Sequence, residues 1–256
     1  FGVMHLVWHG VVMNLVSLAM MRSLGSLRSG KVWLYVLTPA VLSLVLVVGL
    51  AVGALGWIVQ QMMGSPPMTL LAGWGMLWLA YILAYLGGWM AIFAVAYLVA
   101  SLLAAIVIMP LMLKHLSAGE YRDVAPMGKD SFVAATTNSL VASIVFVVAW
   151  LITIPLWIIP GFSLLVPLLL MGWLNRRTFS YDALSMHATS GEWQEIRGKQ
   201  KTPLFMLGLT MALLAHVPFV GLLVPSLSAL SFVHYGLEAL RRLRGGALVT
   251  IEGEKV

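Results

Sequence analysis

A long stretch without charge constrains this chain more than any other feature of its sequence. The 82 residues from Val32 to Leu113 include no Asp, Glu, Lys or Arg. A helix needs about 20 apolar residues to cross the hydrocarbon core of a bilayer, so this stretch holds at least two spans. Charged residues make up only 9% of the whole chain, against about 25% in a typical soluble domain. We therefore expect an all-α integral membrane protein.

Glycine and proline divide the uncharged stretch into two long transmembrane helices. The turn signal is the segment 60–67, which contains Gly64, Pro66 and Pro67. It predicts one helix at about 33–60 and a second at about 69–112. Small residues recur at a spacing of four and allow close helix contact, either within the monomer or between copies. These residues are Gly49 and Gly53 in the first helix, and Ala80, Ala84 and Gly88 in the second.

Two later uncharged runs, 131–175 and 202–237, contain an internal repeat. The segment 159–167 aligns without gaps on the segment 217–225, at an offset of 58 residues, and both segments end in Leu-Leu-Val-Pro. Hydrophobic segments broken by Pro and Gly are typical of discontinuous helices in transporters. Each run is therefore expected to form a helical hairpin. The predicted turn residues are Pro160, Gly161, Pro167, Pro218, Gly221 and Pro225.

The limbs of the second hairpin are short enough to suggest that it enters the membrane only partway. Residues 203–217 and 226–237 would span roughly 22 and 18 Å as helices, against a hydrocarbon core of about 30 Å. A pair of complete spans is the alternative. The resulting division is one membrane domain composed of an N-terminal interfacial helix and basic loop (1–31), two long helices (32–113), a cytoplasmic segment (114–130), the first hairpin (131–175), a cytoplasmic segment (176–201), the second hairpin (202–240) and a cytoplasmic tail (241–256).

The basic residues fall on one side if each pair of spans and each hairpin returns the chain to that side. They precede the first long helix, follow the second, lie between the hairpins and follow the last one. By the positive-inside rule that side is the cytoplasm. The net charge of +6 therefore indicates membrane topology, and no nucleic-acid partner is expected.

Enzyme chemistry finds no support in the sequence. The chain has no cysteine, which excludes thiolate metal sites, and the motifs of nucleotide-binding, zinc-dependent and serine enzymes are absent. Four histidines, at positions 5, 9, 216 and 234, lack a convincing paired ligand and are expected to be structural. Asp182 and His187 are expected to share a cytoplasmic hydrogen-bond network. We predict a protein that is not an enzyme and has no cofactor or metal.

Three features favour an inorganic anion as ligand. A re-entrant hairpin directs the N-terminus of its second limb, with free backbone N–H groups, into the membrane. Ser163, Ser226 and Ser228 add hydroxyl donors near the breaks. Lys31, Arg176 and Arg177 would concentrate anions at the cytoplasmic mouth. The alternative is that these basic residues only fix topology and contact lipid headgroups.

Several short motifs occur together along most of the chain. They are the segment 29–39 (SGKVWLYVLTP) at the start of the first long helix, Met109-Pro110, Ile159-Pro160-Gly161, the segment 181–184 (YDAL), and the Pro218 to Pro225 hairpin with its basic tail. This pattern resembles the CysZ-type sulfate permeases and the related etoposide-induced membrane proteins. The resemblance implies two long membrane helices, two hemi-penetrating hairpins, inward passage of sulfate without ATP-binding motifs, and a homo-oligomer. In the sulfate branch a Gly-Leu-Arg element provides a sulfate site, whereas Trp33 stands here where its arginine is expected.

The leading hypothesis is a permease for sulfate or a similar inorganic anion, passive or driven by a gradient, in the bacterial inner membrane. Lys31 with the backbone of Ser29 and Gly30 would capture the anion, with Arg28 as a second positive charge, and Arg176 and Arg177 would line the inner mouth. The alternative is a non-transporting scaffold or accessory subunit that binds another membrane protein. The expected partners are therefore the lipid bilayer, an anion, further copies of the chain and, under the alternative, a membrane-protein partner.

Overall fold

The computed structural model describes residues 15–128, 132–159, 161–217 and 220–245. Throughout these ranges the chain is helical and contains no strand, which confirms the all-α prediction. The helices are α1 (described over 15–26), α2 (Gly30–Gly53), α3 (Leu55–Met63), α4 (Met68–Gly73), α5 (Leu77–Leu103), α6 (Met109–Ala118), α7 (Phe132–Thr153), α8 (Phe162–Ser185), α9 (Ser190–Lys199), α10 (Lys201–Leu214) and α11 (Val220–Leu243).

Four helical segments of the described chain are long and apolar enough to cross a membrane. They are Gly30–Gly53, Leu77–Ala118, Val133–Leu156 and Val220–Leu243. Large apolar side chains remain exposed along these segments, including Val52, Trp78 and Ile152. An apolar surface of this extent is stable when lipid covers it. The chain is therefore a multi-pass membrane protein.

The two long helices are interrupted where the sequence predicted continuity. The predicted helix 33–60 breaks at Ala54, because Gly53 and Gly56 on either side have low helix propensity. The predicted helix 69–112 starts later, at Leu77, because Gly75 has a φ of 79° and ends the preceding short helix α4. A π-helical turn over Ala104–Ile108 then connects α5 to α6, which has a proline in its first turn.

The internal repeat is also present in the structure. Helices α8 and α11 begin at Phe162 and Val220, an offset of 58 residues, and each contains 24 residues. Pro167 and Pro225 occupy the sixth position of their helices, so the prediction that they are turn residues is wrong. A proline there removes one hydrogen bond to the first turn, and each helix continues beyond it.

The glycines of the hairpins have two different roles. Gly161 precedes α8 with a φ of 88°, a left-handed conformation that glycine adopts without a steric penalty. Gly221 lies inside α11, where a Cβ would collide with the carbonyl oxygen of Ala215 at the end of the preceding limb. The predicted turn residues Pro160 and Pro218 lie outside the described residues.

The second limb of the second hairpin is longer than predicted. Helix α11 covers 24 residues, about 36 Å at 1.5 Å per residue, instead of the 12 residues between Pro225 and the next charged side chain. By length alone, therefore, α11 can cross a bilayer. It is also the most buried of the four candidate spans, because it packs against α2, α6, α8 and α10.

The main core surrounds α11 at the end of the molecule that carries the charged segments. Leu15, Val16 and Ala19 of α1 belong to it, so this part of the N-terminal segment is a buried helix. In α5, Ala80 and Ala84 are fully buried, and a Cβ on Gly88 would meet Leu55 of α3. That small-residue stripe therefore forms a contact within the monomer.

Candidate functional site

Three arginines converge on one buried carboxylate in α11. Glu238 is 1% exposed. Its Oε2 atom accepts a hydrogen bond from Arg22 at 2.9 Å and lies 3.3 Å from Nη1 of Arg241. Its Oε1 atom accepts from Arg242 at 3.2 Å. A buried charge is tolerated only when it is paired and hydrogen-bonded, and Glu238 meets both conditions.

Tyr121 and His234 continue this cluster into the core. The hydroxyl of Tyr121 accepts a hydrogen bond from Arg22 at 2.9 Å and lies 3.0 Å from Nδ1 of His234. The other ring nitrogen of His234 lies 2.9 Å from the hydroxyl of Ser26. The guanidinium of Arg241 stacks over the Tyr121 ring at 4.6 Å. The polar atoms of His234 are thus committed to neighbours, as expected for a structural histidine.

The acidic residues of the segment that follows α6 pair with arginines far away in the chain. Glu120 lies 3.3 Å from Arg22, and Asp123 accepts a hydrogen bond from Arg241 at 2.6 Å. The hydrogen bond from Arg241 holds the pKa of Asp123 below its ordinary value. These ion pairs connect three elements, namely α1, α11 and the segment that follows α6. The charged cluster around Glu238 therefore stabilises the fold and does not offer a binding site.

A second ion pair anchors the end of α11. Arg244 donates to both carboxylate oxygens of Glu192 in α9, at 2.7 and 3.0 Å. It also donates to the backbone carbonyls of Ala125 and His187. The hydrogen bond from Arg244 is the main reason why the pKa of Glu192 falls to about 2, and Thr189, the N-cap residue of α9, contributes further.

The predicted anion-binding residues Arg176 and Arg177 lie in α8 near a third arginine, Arg197 of α9. None of the three makes an ion pair with any described residue. Burial lowers the pKa of Arg176, and the positive charges of Arg197 and Arg177 lower it further. The neighbouring carboxylates are not available, because Glu192 binds Arg244 and Glu195 binds Lys199.

Aromatic side chains connect the two helices that carry these arginines. Tyr181 lies one turn after Arg177 on α8, and its ring meets Trp193 of α9 edge-on at 5.6 Å. Arg197 lies over the other ring of the pair, that of Trp193, at 6.0 Å. We call Arg176, Arg177 and Arg197 the basic cluster. Its positive charge, which no carboxylate of the described residues pairs, attracts anions.

The other predicted group, Arg28 to Lys31, lies at the start of α2. Ser29 is the N-cap residue and its side chain makes no capping hydrogen bond. Gly30 and Lys31 are the first two residues of the helix, and Arg28 and Lys31 are exposed. The first backbone N–H groups of α2 therefore lie beside two positive charges, an arrangement that suits an anion. No hydrogen bond or ion pair between described residues joins this group to the basic cluster.

A cavity of about 680 Å³ lies between the hairpin turns and the long helices. Leu164 and Pro167 of the first hairpin and His216 and Gly221 of the second contribute to its wall, together with side chains of α2, α5 and α7. Its polar groups are engaged elsewhere. The hydroxyl of Tyr97 donates to Asn175 at 3.0 Å, that of Ser43 donates to the Ala96 carbonyl, and Nδ1 of His216 lies 2.8 Å from the Ala212 carbonyl. This apolar wall does not suit an anion.

Two of the three hydroxyl donors predicted near the breaks, Ser226 and Ser228, do not contribute to the wall of this cavity. Both serines are fully buried within α11. The side chain of Ser163 lies outside the described residues. Among the predicted anion-binding residues, those with exposed or unpaired positive charge lie at the start of α2 and within α8.

Asp182 and His187 do not form the predicted network. Asp182 is 6% exposed and accepts a hydrogen bond from Ser139 of α7 at 3.3 Å. Burial is the main reason why the pKa of Asp182 rises to about 8. His187 is buried as well, and its backbone carbonyl accepts from Arg244 and from the backbone N–H of Met127. The two side chains belong to separate contacts.

Among the described residues, no group of acidic or histidine side chains could hold a metal ion on its own.

One comparison with known proteins identifies relatives. A family model described as "Sulfate transporter CysZ/Etoposide-induced protein 2.4" matches residues 19–225. This range covers the two long helices and the first hairpin, and it ends at Pro225 within the second. No curated protein matches the chain, and no solved structure does.

Proposed function

The chain belongs to the sulfate transporter CysZ/etoposide-induced protein 2.4 family, and from this membership we propose that it is a permease for sulfate or a similar inorganic anion. The family match carries the proposal because it covers most of the chain. The description of the family names a sulfate transporter, which agrees with the prediction of a protein that is not an enzyme. The match favours transport over the scaffold alternative.

The basic cluster supports this function on physical grounds. An anion that leaves water needs positive charge and hydrogen-bond donors that are not already satisfied. Arg176 and Arg177 offer guanidinium groups that pair with no carboxylate of the described residues, whereas the arginines around Glu238 are neutralised. We propose that Arg176 and Arg177 line the inner mouth of the pathway. Lys31, with Arg28 and the N–H groups of Ser29 and Gly30, would form a separate capture site.

The arrangement in the membrane is part of the same proposal. We propose that two groups of charged residues face the cytoplasm of a bacterial inner membrane, according to the positive-inside rule. These are the basic cluster and the arginines that pair with Glu238, namely Arg22, Arg241 and Arg242. The two hairpins would enter from that side as re-entrant elements. A homo-oligomer is proposed as well. Gly49 and Gly53 lie on the exposed face of α2, where an added Cβ would meet no atom within 4 Å, so a second helix can approach closely there.

Sulfate uptake into proteoliposomes tests the function. The purified protein should admit radiolabelled sulfate above the level of empty liposomes. The double change Arg176→Ala/Arg177→Ala should reduce the rate by about 100-fold or more, since two charge-assisted contacts of roughly 1.5–3 kcal/mol each are removed. Lys31→Ala should reduce uptake mainly at low sulfate concentration, because it removes a capture site.

Lys199→Ala is the control for the loss of positive charge near the basic cluster. It removes one positive charge from the segment 176–201, but Lys199 is 61% exposed and paired with Glu195. Its uptake should equal that of the unchanged protein. Absence of uptake by correctly folded, oriented protein would rule out a sulfate permease, and equal loss in Lys199→Ala would show that only net charge matters.

A further inference from the structure

The interface between α7 and α8 contains a buried carboxylate, that of Asp182, which no positive group among the described residues neutralises. Asp182 makes no ion pair with a described residue, and its Oδ1 atom is buried without a hydrogen-bond partner. On α11, Glu238 and Arg241 bind each other, and α7 contributes no charged residue between 132 and 153. Just after α8, which ends at Ser185, burial lowers the pKa of His187, which favours the neutral ring.

Hydroxyl groups of both helices share this interface with Asp182. Ser139 is fully buried and donates to Oδ2 of Asp182 at 3.3 Å. Thr178 is 3% exposed and lies one helical turn before Asp182, on the same face of α8. Thr136 precedes Ser139 by three residues, on the same face of α7. The hydroxyl oxygens of both threonines are buried without a partner.

Thr136 and Thr178 lack the backbone bond that helical hydroxyls commonly make. A helical Ser or Thr commonly donates to the carbonyl four residues earlier, and Ser143 of α7 and Ser180 of α8 do so. Three serines elsewhere in the described helices, Ser101, Ser226 and Ser228, also have buried hydroxyls without a partner. The two threonines differ from those serines because each lies one helical turn from a residue of the Ser139–Asp182 contact. A buried polar group without a partner is costly, and such groups require a reason.

We propose that Asp182, Ser139, Thr178 and Thr136 form a binding site for a monovalent alkali cation between α7 and α8. The donor set consists only of oxygens, which bind hard cations. It contains one carboxylate, so a single positive charge neutralises it, whereas a divalent ion would leave an excess of buried charge. Zinc would require nitrogen or sulfur ligands. This cation site is separate from the proposed anion-binding residues. Binding of the cation does not depend on whether the protein transports sulfate.

The site lies next to the basic cluster. Asn138, one residue before Ser139, donates from its side-chain amide to the backbone carbonyl of Arg177 at 3.2 Å. Asp182 lies five residues after Arg177 on α8. A cation bound there would compensate the carboxylate that otherwise opposes an anion near Arg177, and it would fix α7 against α8.

Thermal unfolding of the purified protein in detergent tests the proposal with sodium as the probe. Sodium chloride is titrated at constant ionic strength, with choline chloride as replacement, at pH 7 and pH 9. A saturable increase of Tm with sodium is expected, with a lower midpoint at pH 9 because fewer protons compete for Asp182. Equilibrium binding of radioactive sodium should give the same midpoint.

Three variants make the test specific. Asp182→Asn should abolish the sodium response, and Thr178→Val should raise the midpoint by about 10-fold, as for loss of a supporting ligand. Thr210→Val, which removes a hydroxyl already bonded to Met206, should respond like the unchanged protein. If Asp182→Asn does not fold, the shift in Thr178→Val decides. A Tm that depends on pH but not on sodium would mean that a proton alone occupies the site and would overturn the proposal, as would a sodium response retained in Asp182→Asn.

Discussion

The substitution Glu238→Gln tests whether the buried ion pairs of α11 hold the fold together. The change keeps the shape of the side chain and removes its charge, leaving three arginines with one carboxylate fewer. Breaking a buried ion pair by removing one partner typically costs 3–5 kcal/mol, because an uncompensated charge remains. We expect a marked loss of stability, and the contacts of each arginine set its size.

The remaining contacts place the expected loss at the lower end of that range. Arg241 is 5% exposed but keeps Asp123, and Arg22 keeps Glu120 and Tyr121. Arg242 is 23% exposed and can turn towards water. Only Arg242 loses its one described ion pair, and water can replace that contact. The expected destabilisation is therefore about 3 kcal/mol, which corresponds to a fall in Tm of about 6–12 °C for a chain of this size.

The assay is thermal unfolding in detergent, followed by circular dichroism. Glu195→Gln is the matched control, because it makes the same chemical change in an exposed pair with Lys199, and such pairs contribute about 0–1 kcal/mol. If Glu238→Gln destabilises the protein no more than Glu195→Gln does, the account of this cluster as a stabilising core is wrong.

Three further predictions concern single contacts. Gly208→Ala should lower the unfolding free energy by about 1–3 kcal/mol, because its Cβ would collide with the Gly172 carbonyl between α10 and α8. Gly198→Ala, where an added Cβ meets no atom within 4 Å, should leave the unfolding free energy unchanged. Equal Tm values for the two variants would contradict the predicted collision. Gly161→Ala should cost about 1–2 kcal/mol through its left-handed backbone alone, and an unchanged Tm would show that the turn adapts. The pair of Glu192 with Arg244 should stabilise the fold above pH 4.5 and lose its contribution as the pH falls from 4.5 towards about 2, since the pKa of Glu192 is depressed in the folded state. Acid titrations of Glu192→Gln should lack this component, and an unaltered acid profile would refute it.

The sequence predicted the helical architecture because apolar runs and prolines determine where helices can lie in a bilayer. It placed the break between the long helices near Gly64 and both hairpins in the correct runs. It missed the interruption at Ala54 and the later start of α5, since the positive φ of Gly75 is a backbone property that composition does not reveal. It also assumed that Pro225 ends a helix, whereas α11 continues through it.

The side-chain contacts were predicted less completely. Arg176 and Arg177 were proposed from their position at the end of an apolar run, whereas the proximity of Arg197 depends on the contact between α8 and α9. The ion pairs of Arg22 and Arg241 join residues far apart in the chain, and no local pattern indicates them. One local signal for the ion pairs of α11 was present in the sequence. Glu238 is an acidic residue at the edge of an apolar run, and two arginines follow it three and four residues later.

The repeat at an offset of 58 residues gives α8 and α11 equivalent positions with different side chains. Matched starts, lengths and proline positions are what duplication of one hairpin would leave. At the positions where α8 carries Arg176 and Asp182, α11 carries His234 and Leu240, and at the position of Glu238, α8 carries Ser180. The buried ion pairs therefore lie on one helix of the repeat, and the residues that we propose as ion ligands lie on the other.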